Sequence, residues 1–416
     1  MPSTALLTDR YELTMLESAL QSGLASRRAV FEVFARRLPT GRRYGVVAGQ
    51  GRLHGLLRDF VFGIEEVAAV RDVIGAQTLT WLSGRELGAT ISAYAEGETF
   101  FPGSPVLTVE SCFGEGLLLE TLVLSVLTHD SAVASAAARM VLAAGGRPLI
   151  EMGSRRTSEQ AAVAAARAAY VAGFAKTSNL EAGRRHGIPT AGTSAHAFTL
   201  AADDERIAFL AQVSAQGVGT TLLVDTYDTQ QGIRNAVEVA GPGLGAIRLD
   251  SGDLAEETRR ARTLLDSLGA TATRIVVTGD LDEHSILGLA STPADSYGVG
   301  TSVVTGSGAP SAGFVYKLVA IADSDKPGAM MRPVAKKSVG KATLGGRKWA
   351  ARLPGGERMR LSPDGFPAQA RMLQGPLGVD DVEAARERCR LSLAELPESA
   401  RRLSPGDPAW RAEMED

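Results

Sequence analysis

Cysteine is almost missing from this chain of 416 residues: Cys112 and Cys389 are its two. That number cannot build a disulfide framework or a cysteine-ligated zinc site, and it suits a reducing, cytoplasmic compartment. An excess of either charge is missing too. The formal net charge is −3, which gives no global attraction to nucleic acid or to an anionic membrane, so neither is expected as a partner. No apolar run reads as long enough to span a membrane; the most apolar stretch, residues 117–127, is interrupted by Glu120. The opening residues, Met1-Pro-Ser-Thr-Ala-Leu-Leu-Thr-Asp-Arg10, lack the basic start and apolar core of a secretion signal. Aromatic residues are few, at 5%, while alanine and glycine are plentiful, a bias that favours close helix packing. Neither an internal repeat nor a low-complexity linker is visible.

What is present is an ordinary globular composition, 44% hydrophobic and 22% charged, in a chain long enough for two domains. Between residues 150 and 304 a rhythm repeats: a short β-branched run, a polar or glycine turn, then a helical stretch. The strand ends are Leu149-Ile-Glu-Met-Gly-Ser-Arg155, Pro189-Thr-Ala-Gly-Thr-Ser194, Thr221-Leu-Leu-Val-Asp-Thr226, Ala246-Ile-Arg-Leu-Asp-Ser251, Arg274-Ile-Val-Val-Thr-Gly279 and Ser296-Tyr-Gly-Val-Gly-Thr301. Alternating strand and helix implies an α/β fold with a parallel sheet. A closed barrel is favoured over an open sheet, because chemistry-capable residues gather after the strands. The first 116 residues differ. Ala29-Val-Phe-Glu-Val-Phe34 alternates like a strand with one wet face, and residues 93–101 and 105–110 look like two more around a Pro-Gly turn. After Lys317 the chain turns basic and strand-like again, at 336–341 and 347–352, as if returning to that layer, and a charged helix is expected over 381–396. The expected divisions are residues 1–116, 117–320 and 321–416.

Several strand ends hold candidate site residues. In Thr193-Ser-Ala-His196 an imidazole sits among small neighbours. It can cap or fill a core, or serve as base, ligand or phosphoryl acceptor, since histidine titrates near neutrality. Arg155 and Arg156 follow a strand-end glycine and suit bidentate phosphate binding, or simple solvation. On a strand, Arg248 and Asp250 share one face. They can pair with each other, or send the guanidinium to a substrate carboxylate and the carboxylate to a ribose hydroxyl or a metal. Asp225 and Asp280 add carboxylates able to meet magnesium through a phosphate, though no spacing forms a specific metal motif. Asp228 and Asp282 read as helix N-caps. Gly300, Thr301 and Ser302 lie in a turn whose backbone amides can approach a phosphate. Tyr11, one turn into an N-terminal helix capped by Thr8 or Asp9, can offer a ring for stacking.

The ordered set Leu6-Leu-Thr-Asp-Arg-Tyr-Glu-Leu-Thr-Met15, Glu151-Met-Gly-Ser-Arg-Arg156, Gly192-Thr-Ser-Ala-His196, Leu223-Val-Asp-Thr-Tyr-Asp228, Ile247-Arg-Leu-Asp-Ser-Gly-Asp253, Gly298-Val-Gly-Thr-Ser302 and Val315-Tyr-Lys-Leu318 resembles nicotinate phosphoribosyltransferases over residues 6 to about 350. The resemblance implies an irregular, TIM-like α/β barrel plus an α/β sandwich built from both chain ends, in a homodimer. It implies transfer of phosphoribosyl from phosphoribosyl pyrophosphate to nicotinate, with magnesium, in NAD salvage. ATP is the implied co-substrate, hydrolysed through a phosphohistidine at His196. Tyr11 and Thr193 match nicotinate contacts, Arg248 matches the arginine for its carboxylate, and Thr301 matches a contact to the phosphoribosyl donor. Arg10 and Ala197 depart from the commoner residues of these motifs. Rival readings are a nicotinamide enzyme, with Asp250 as acidic partner, and a quinolinate enzyme, which needs more cations. A sugar-phosphate lyase or isomerase would want a strand-end lysine, which none of the quoted ends contains. A non-catalytic scaffold would not need His196, Arg248 and Thr301 together.

Overall fold

The computed structural model describes residues 2–338, 343–378 and 381–415. They fall into two units. The central one is Val133–Pro310; the other joins the two flanks of the chain, up to Ala132 and from Ser311. The first boundary lies inside the 25-residue helix Glu120–Ala144. That helix corrects the expectation of no membrane-length element: by length and composition it could cross a bilayer. However, 67% of its most apolar window is buried within the fold, as in the core helix of a globular protein.

In the central unit six short parallel strands, β1 (Leu149–Glu151), β2 (Lys176–Thr177), β3 (Thr221–Leu223), β4 (Ala246–Leu249), β5 (Arg274–Val277) and β6 (Ser296–Val299), form one sheet in the order β2-β1-β6-β5-β4-β3. Ile275, Val277, Ile247 and Leu249 are fully buried; they pair across the two strands and alternate with Val276 and Arg248, so they form one covered face of the sheet. Helices return the chain between strands. Asp228, Asp253 and Asp282 accept hydrogen bonds from the first-turn amides of Thr229–Ala240, Leu254–Ser267 and Glu283–Gly288, satisfying donors a helix start leaves free. The helix Glu159–Val171 buries a run of alanines.

The pairing of β1 with β6 joins the first strand of the sheet to the last, so chain order runs around it. The circuit has one opening. Thr190 makes a single parallel bridge to Thr177 of β2, and among the described residues no ladder continues from there to β3. The strand expected at 189–194 is therefore reduced to one bridge, because Pro189 and Gly192 interrupt it. The two-residue β2 takes its place beside β1. It brings Lys176 onto a strand, but exposed and at its start rather than its end.

The flanking unit contains a six-stranded antiparallel sheet in the order Met331–Pro333, Phe314–Ala322, Arg28–Ala35, Leu107–Cys112, Thr90–Tyr94, Gln374–Pro376. Three strands from the N-terminal flank form its middle, with two C-terminal strands on one side and one on the other, and the register between Arg28–Ala35 and Phe314–Ala322 shifts once, between Val30 and Phe31. Arg28–Ala35 has no wet face. Phe31 stacks between Phe113 and Tyr316, with ring centroids 6.0 and 4.9 Å away. On the other face Glu32 is fully buried and paired with Lys348 at 2.7 Å. A short ladder, Gly45–Val46 with Thr99–Phe100, and a four-stranded sheet containing Trp349–Leu353 and Gly356–Arg360 complete the unit. Residues 336–338 form no strand, and the rest of the strand expected at 336–341 lies outside the described residues. The C-terminal helix runs Val382–Ala394 with Asp381 as its cap.

Candidate functional site

The C-terminal ends of β1, β4, β5 and β6 surround a cavity of about 150 Å³ in the central unit. Four strand ends opening on one side is the usual location of a ligand site in a parallel α/β sheet. Arg155 and Arg156 reach its wall from beyond β1, Arg248 and Asp250 from β4, Asp280 from beyond β5, and Gly300 and Thr301 from beyond β6. Side-chain polarity dominates the lining.

Arg248 organises the floor. Its Nε donates to Thr278 Oγ1 (2.9 Å), Nη1 to Thr193 Oγ1 (3.0 Å) and to the Ser194 carbonyl (3.3 Å), and Nη2 to Asp250 Oδ1 (2.8 Å). One guanidinium therefore ties three segments together across the opening between Thr190 and β3. Burial opposes the charge on Asp250. The hydrogen bonds from Arg248 and Thr278, the guanidinium charge and nearby His196 outweigh that, and the carboxyl is held below its ordinary value. His196 is half-exposed at the first turn of the helix His196–Leu200. Its Nδ1 is 3.1 Å from Thr226 Oγ1, and its Nε2 is 3.9 Å from Asp250 Oδ2. The imidazole is thus fixed through one nitrogen while the other faces the Asp250 side of the site. Asp225, buried beside it, accepts from the Asp250 amide (2.8 Å) and Ser251 Oγ (2.7 Å).

These contacts bring together Arg155, Arg156, Thr193, His196, Asp225, Arg248, Asp250, Asp280, Gly300 and Thr301. Ser302 lies in the short helix Thr301–Val304, off the cavity wall, and its carbonyl accepts from the Ser307 amide. Tyr11 belongs to the other unit. Asp228 and Asp282 are caps, as expected. Gly298, the first glycine of the expected phosphate turn, also lines the cavity, as do Thr278 and Met152, which were not singled out from sequence. Thr278 Oγ1 stands between Arg248 and Asp250, donating to the carboxylate; the residue just after a buried β-branched run was the signal available. Gly298 is required on steric grounds, since a Cβ there would meet Thr278 Cγ2 at 2.6 Å and Met152 Sδ at 2.7 Å.

Among the described residues no group of three or more His, Cys, Asp or Glu could form a metal cage. Asp280 on the cavity wall and the partnerless, buried Oδ1 of Asp225 are single donors. That supply fits a hard cation held mainly by a ligand's phosphate oxygens, with one or two carboxylates completing its shell.

Comparison with known proteins gives a consistent result. The N-terminal domain of nicotinate phosphoribosyltransferase (NAPRTase) matches residues 6–128. Nicotinate phosphoribosyltransferase pncB1 of Mycobacterium tuberculosis is 54% identical over 432 residues, covering 97% of this chain and 94% of the relative. The nicotinate phosphoribosyltransferase of Bacillus subtilis is 38% identical over 335 residues, covering 78% and 68%. The crystal structure of human nicotinic acid phosphoribosyltransferase superposes with a TM-score of 0.82 at 26% identity, covering 98% of this chain and 97% of that one.

Proposed function

The chain belongs to the nicotinate phosphoribosyltransferase family, and on that premise we propose that the cavity at the ends of β1, β4, β5 and β6 is where its reaction takes place. The reaction is that of the family: nicotinate and phosphoribosyl pyrophosphate give nicotinate mononucleotide and pyrophosphate in NAD salvage. The sheet is read as an irregular α/β barrel open at Thr190, and the antiparallel unit as the sandwich built from both chain ends.

The single observation supporting this reading is the convergence of Arg248, Arg155, Arg156 and the Gly300–Thr301 turn on one cavity, with His196 adjoining it. Arg248 takes the nicotinate carboxylate, and Thr193 lies against the ring. The turn at Gly300, Thr301 and Ser302 receives the phosphate of the donor, while Arg155 and Arg156 face its pyrophosphate. Asp250 accepts from a ribose hydroxyl. The bond from the anomeric carbon to pyrophosphate breaks, its electrons leave with pyrophosphate, and the pyridine nitrogen forms the new bond. Acceleration comes from orientation and from cationic groups preorganised around the departing charge. Magnesium, when bound, shields the charge of pyrophosphate, with Asp225 or Asp280 able to complete its shell.

ATP enters through His196. Its imidazole nitrogen displaces ADP from the γ-phosphoryl group, and water later releases phosphate from the phosphohistidine. The phosphorylated ring would place negative charge beside Asp250 and reorder the 193–200 segment, coupling hydrolysis to donor binding. A cytoplasmic homodimer completes the proposal. Product analysis with nicotinate, phosphoribosyl pyrophosphate, ATP and magnesium, omitting each in turn, tests it. Nicotinate mononucleotide should form, ATP should stimulate its formation, and nicotinamide or quinolinate should not replace nicotinate. His196→Ala should retain slow transfer and lose the stimulation. Equal stimulation of mutant and wild type would remove His196 from the phosphoryl path.

A further inference from the structure

Glu151 ends β1 fully buried, although a carboxyl is rarely buried without partners. Each of its oxygens has one. Oε1 accepts from the Gly153 amide, and Oε2 accepts from Thr177 Oγ1 of β2 (2.5 Å). Among the described residues no cation pairs with it, so ion pairing does not account for its place. The two partners do, because each leads to the turn that carries Arg155 and Arg156. That turn begins at Gly153, whose carbonyl accepts from the Arg156 amide (2.8 Å).

Two lines of hydrogen bonds therefore run from one carboxyl to one turn. The direct line holds the Gly153 amide. The indirect line passes through Thr177: its Oγ1 accepts from the Asn179 amide (3.0 Å), and Asn179 Nδ2 donates to Ser154 Oγ (3.0 Å). Asn179 is itself fixed, since its Oδ1 caps the helix Leu180–His186 by accepting from the Ala182 amide (2.9 Å). Arg155 and Arg156 are exposed on the cavity wall, so the turn beneath them decides where their guanidiniums start from. On its other side the turn lies against β6. The Met152 amide donates to the Val299 carbonyl (2.8 Å). A Cβ on Gly153 would run into Val304 and would meet the Gly300 carbonyl oxygen at 2.9 Å. The arginine turn and the Gly300–Thr301 turn, both read as receiving the donor's phosphates, thus touch at Gly153.

We infer that Glu151 is a positioning residue for the phosphoribosyl pyrophosphate donor: through the Gly153 amide, and through Thr177, Asn179 and Ser154, it holds the Arg155–Arg156 turn against the Gly300–Thr301 turn, so that both meet the same ligand. A carboxyl suits this task. The site needs two acceptors pointing apart at the end of a short strand, and a side chain long enough to reach the amide two residues on. A side chain without an acceptor there would release Gly153. The guanidiniums would then have to be ordered by the ligand, at a cost in affinity. Nicotinate is spared, because Arg248 is held by its own set of bonds, to Thr278, Thr193, Ser194 and Asp250. The inference rests on the proposed contact of Arg155 and Arg156 with pyrophosphate.

Steady-state kinetics of the full-length protein, varying each substrate in turn, tests it in the wild type, Glu151→Met, Glu151→Gln, Ser154→Ala and the double variant Arg155→Ala/Arg156→Ala. Glu151→Met keeps the bulk and accepts nothing. Its KM for phosphoribosyl pyrophosphate should rise about tenfold, while that for nicotinate stays within about twofold. Glu151→Gln still accepts from the Gly153 amide and can donate to Thr177 Oγ1, so it should recover most of that loss. Ser154→Ala cuts only the indirect line, at its half-buried end, and should raise the donor KM about threefold; it decides alone where Glu151→Met does not fold. Variants at 151 and 154 that leave the donor KM unchanged, or raise both KM values alike, overturn the role of Glu151 when the double arginine variant raises the donor KM. A double arginine variant with an unchanged donor KM overturns the pyrophosphate contact itself, and the inference with it.

Discussion

Thr278 shows how much one hydroxyl can do. Its Oγ1 accepts from Arg248 Nε and donates to Asp250, so it bridges a guanidinium and a carboxylate that also pair directly at 2.8 Å. Thr278→Val keeps the shape and removes both bonds. Hydrogen bonds to charged groups contribute about 1.5–3 kcal/mol to stability, so the thermal midpoint should fall measurably, and kcat/KM for nicotinate should fall at least about tenfold as the guanidinium loses its orientation. Glu12 gives a prediction of opposite character. Its carboxyl is raised to about 7 in the fold by burial from about 4.3 in the unfolded chain. A raised acid favours folding while protonated, so its contribution is complete below the unfolded value and fades as pH climbs through the folded one. Between about pH 4.5 and about pH 7 the wild type should lose on the order of 2 kcal/mol relative to Glu12→Gln. Urea denaturation at the two ends of that window measures it, and parallel curves would show that Glu12 does not titrate there. Neither residue's surroundings were legible: Glu12 occupies a polar letter in an amphipathic helix, and only the fold shows that Thr8 and Thr121 enclose it. Arg248, Asp250 and His196 were legible as candidates, because charged and titratable residues just past β-branched runs gather at one end of a parallel sheet, and the fold does bring them together.

At the scale of elements, the loops beyond β5 and β6 are tied by a buried ion pair. Glu283 accepts from Arg139 Nε at 3.0 Å and from Ser307 Oγ, with both charged side chains less than a tenth exposed. Glu283 begins the helix that follows Asp280, and Ser307, at a positive φ of 50°, ends the turn that follows Gly300. The pair thus sets the spacing of two cavity walls. Glu283→Ala leaves a buried cation short of its carboxylate and should destabilise by about 3 kcal/mol. The KM for phosphoribosyl pyrophosphate should rise more than that for nicotinate, and a mutant that binds both substrates normally would separate the pair from the site. Elements of ordinary length were legible from capping residues and β-branched runs: Asp228, Asp253 and Asp282 mark their helices, and Arg274–Val277 is a strand by composition alone. The shortest were not. Lys176–Thr177 has no periodicity to detect, and the run at Pro189 looks like a strand until its proline and glycine reduce it to one bridge.

For the whole molecule, the change from β/α rhythm to basic, strand-like sequence near Lys317 pointed to a return of the C-terminal flank, but the strands that return are Phe314–Ala322, Met331–Pro333 and Gln374–Pro376, while the expected run at 347–352 lies in the separate four-stranded sheet. The pairing partner was not legible, because antiparallel register depends on contacts some 290 residues apart, such as Ala29 with Ile321. A chain ending at Pro310 would lose Phe314–Ala322 and leave Arg28–Ala35 as an uncovered edge. It should accumulate as aggregate, and supplying residues 311–416 as a separate polypeptide should restore solubility in part. Recovery of a soluble, cooperative fold by residues 1–310 alone would show that the flanking unit does not need its second half.

The break in the parallel circuit at Thr190 has its own outcome. Backbone ladders lock every other junction of that sheet, but the bonds spanning this one belong to Arg248, Thr193, His196 and Thr226, side chains that a substrate or a phosphoryl group would recruit. Loading the site and slackening the seam then become a single event. Amide deuterium uptake over residues 188–200 should rise with nicotinate and with ATP, while the β4–β5 pair stays silent.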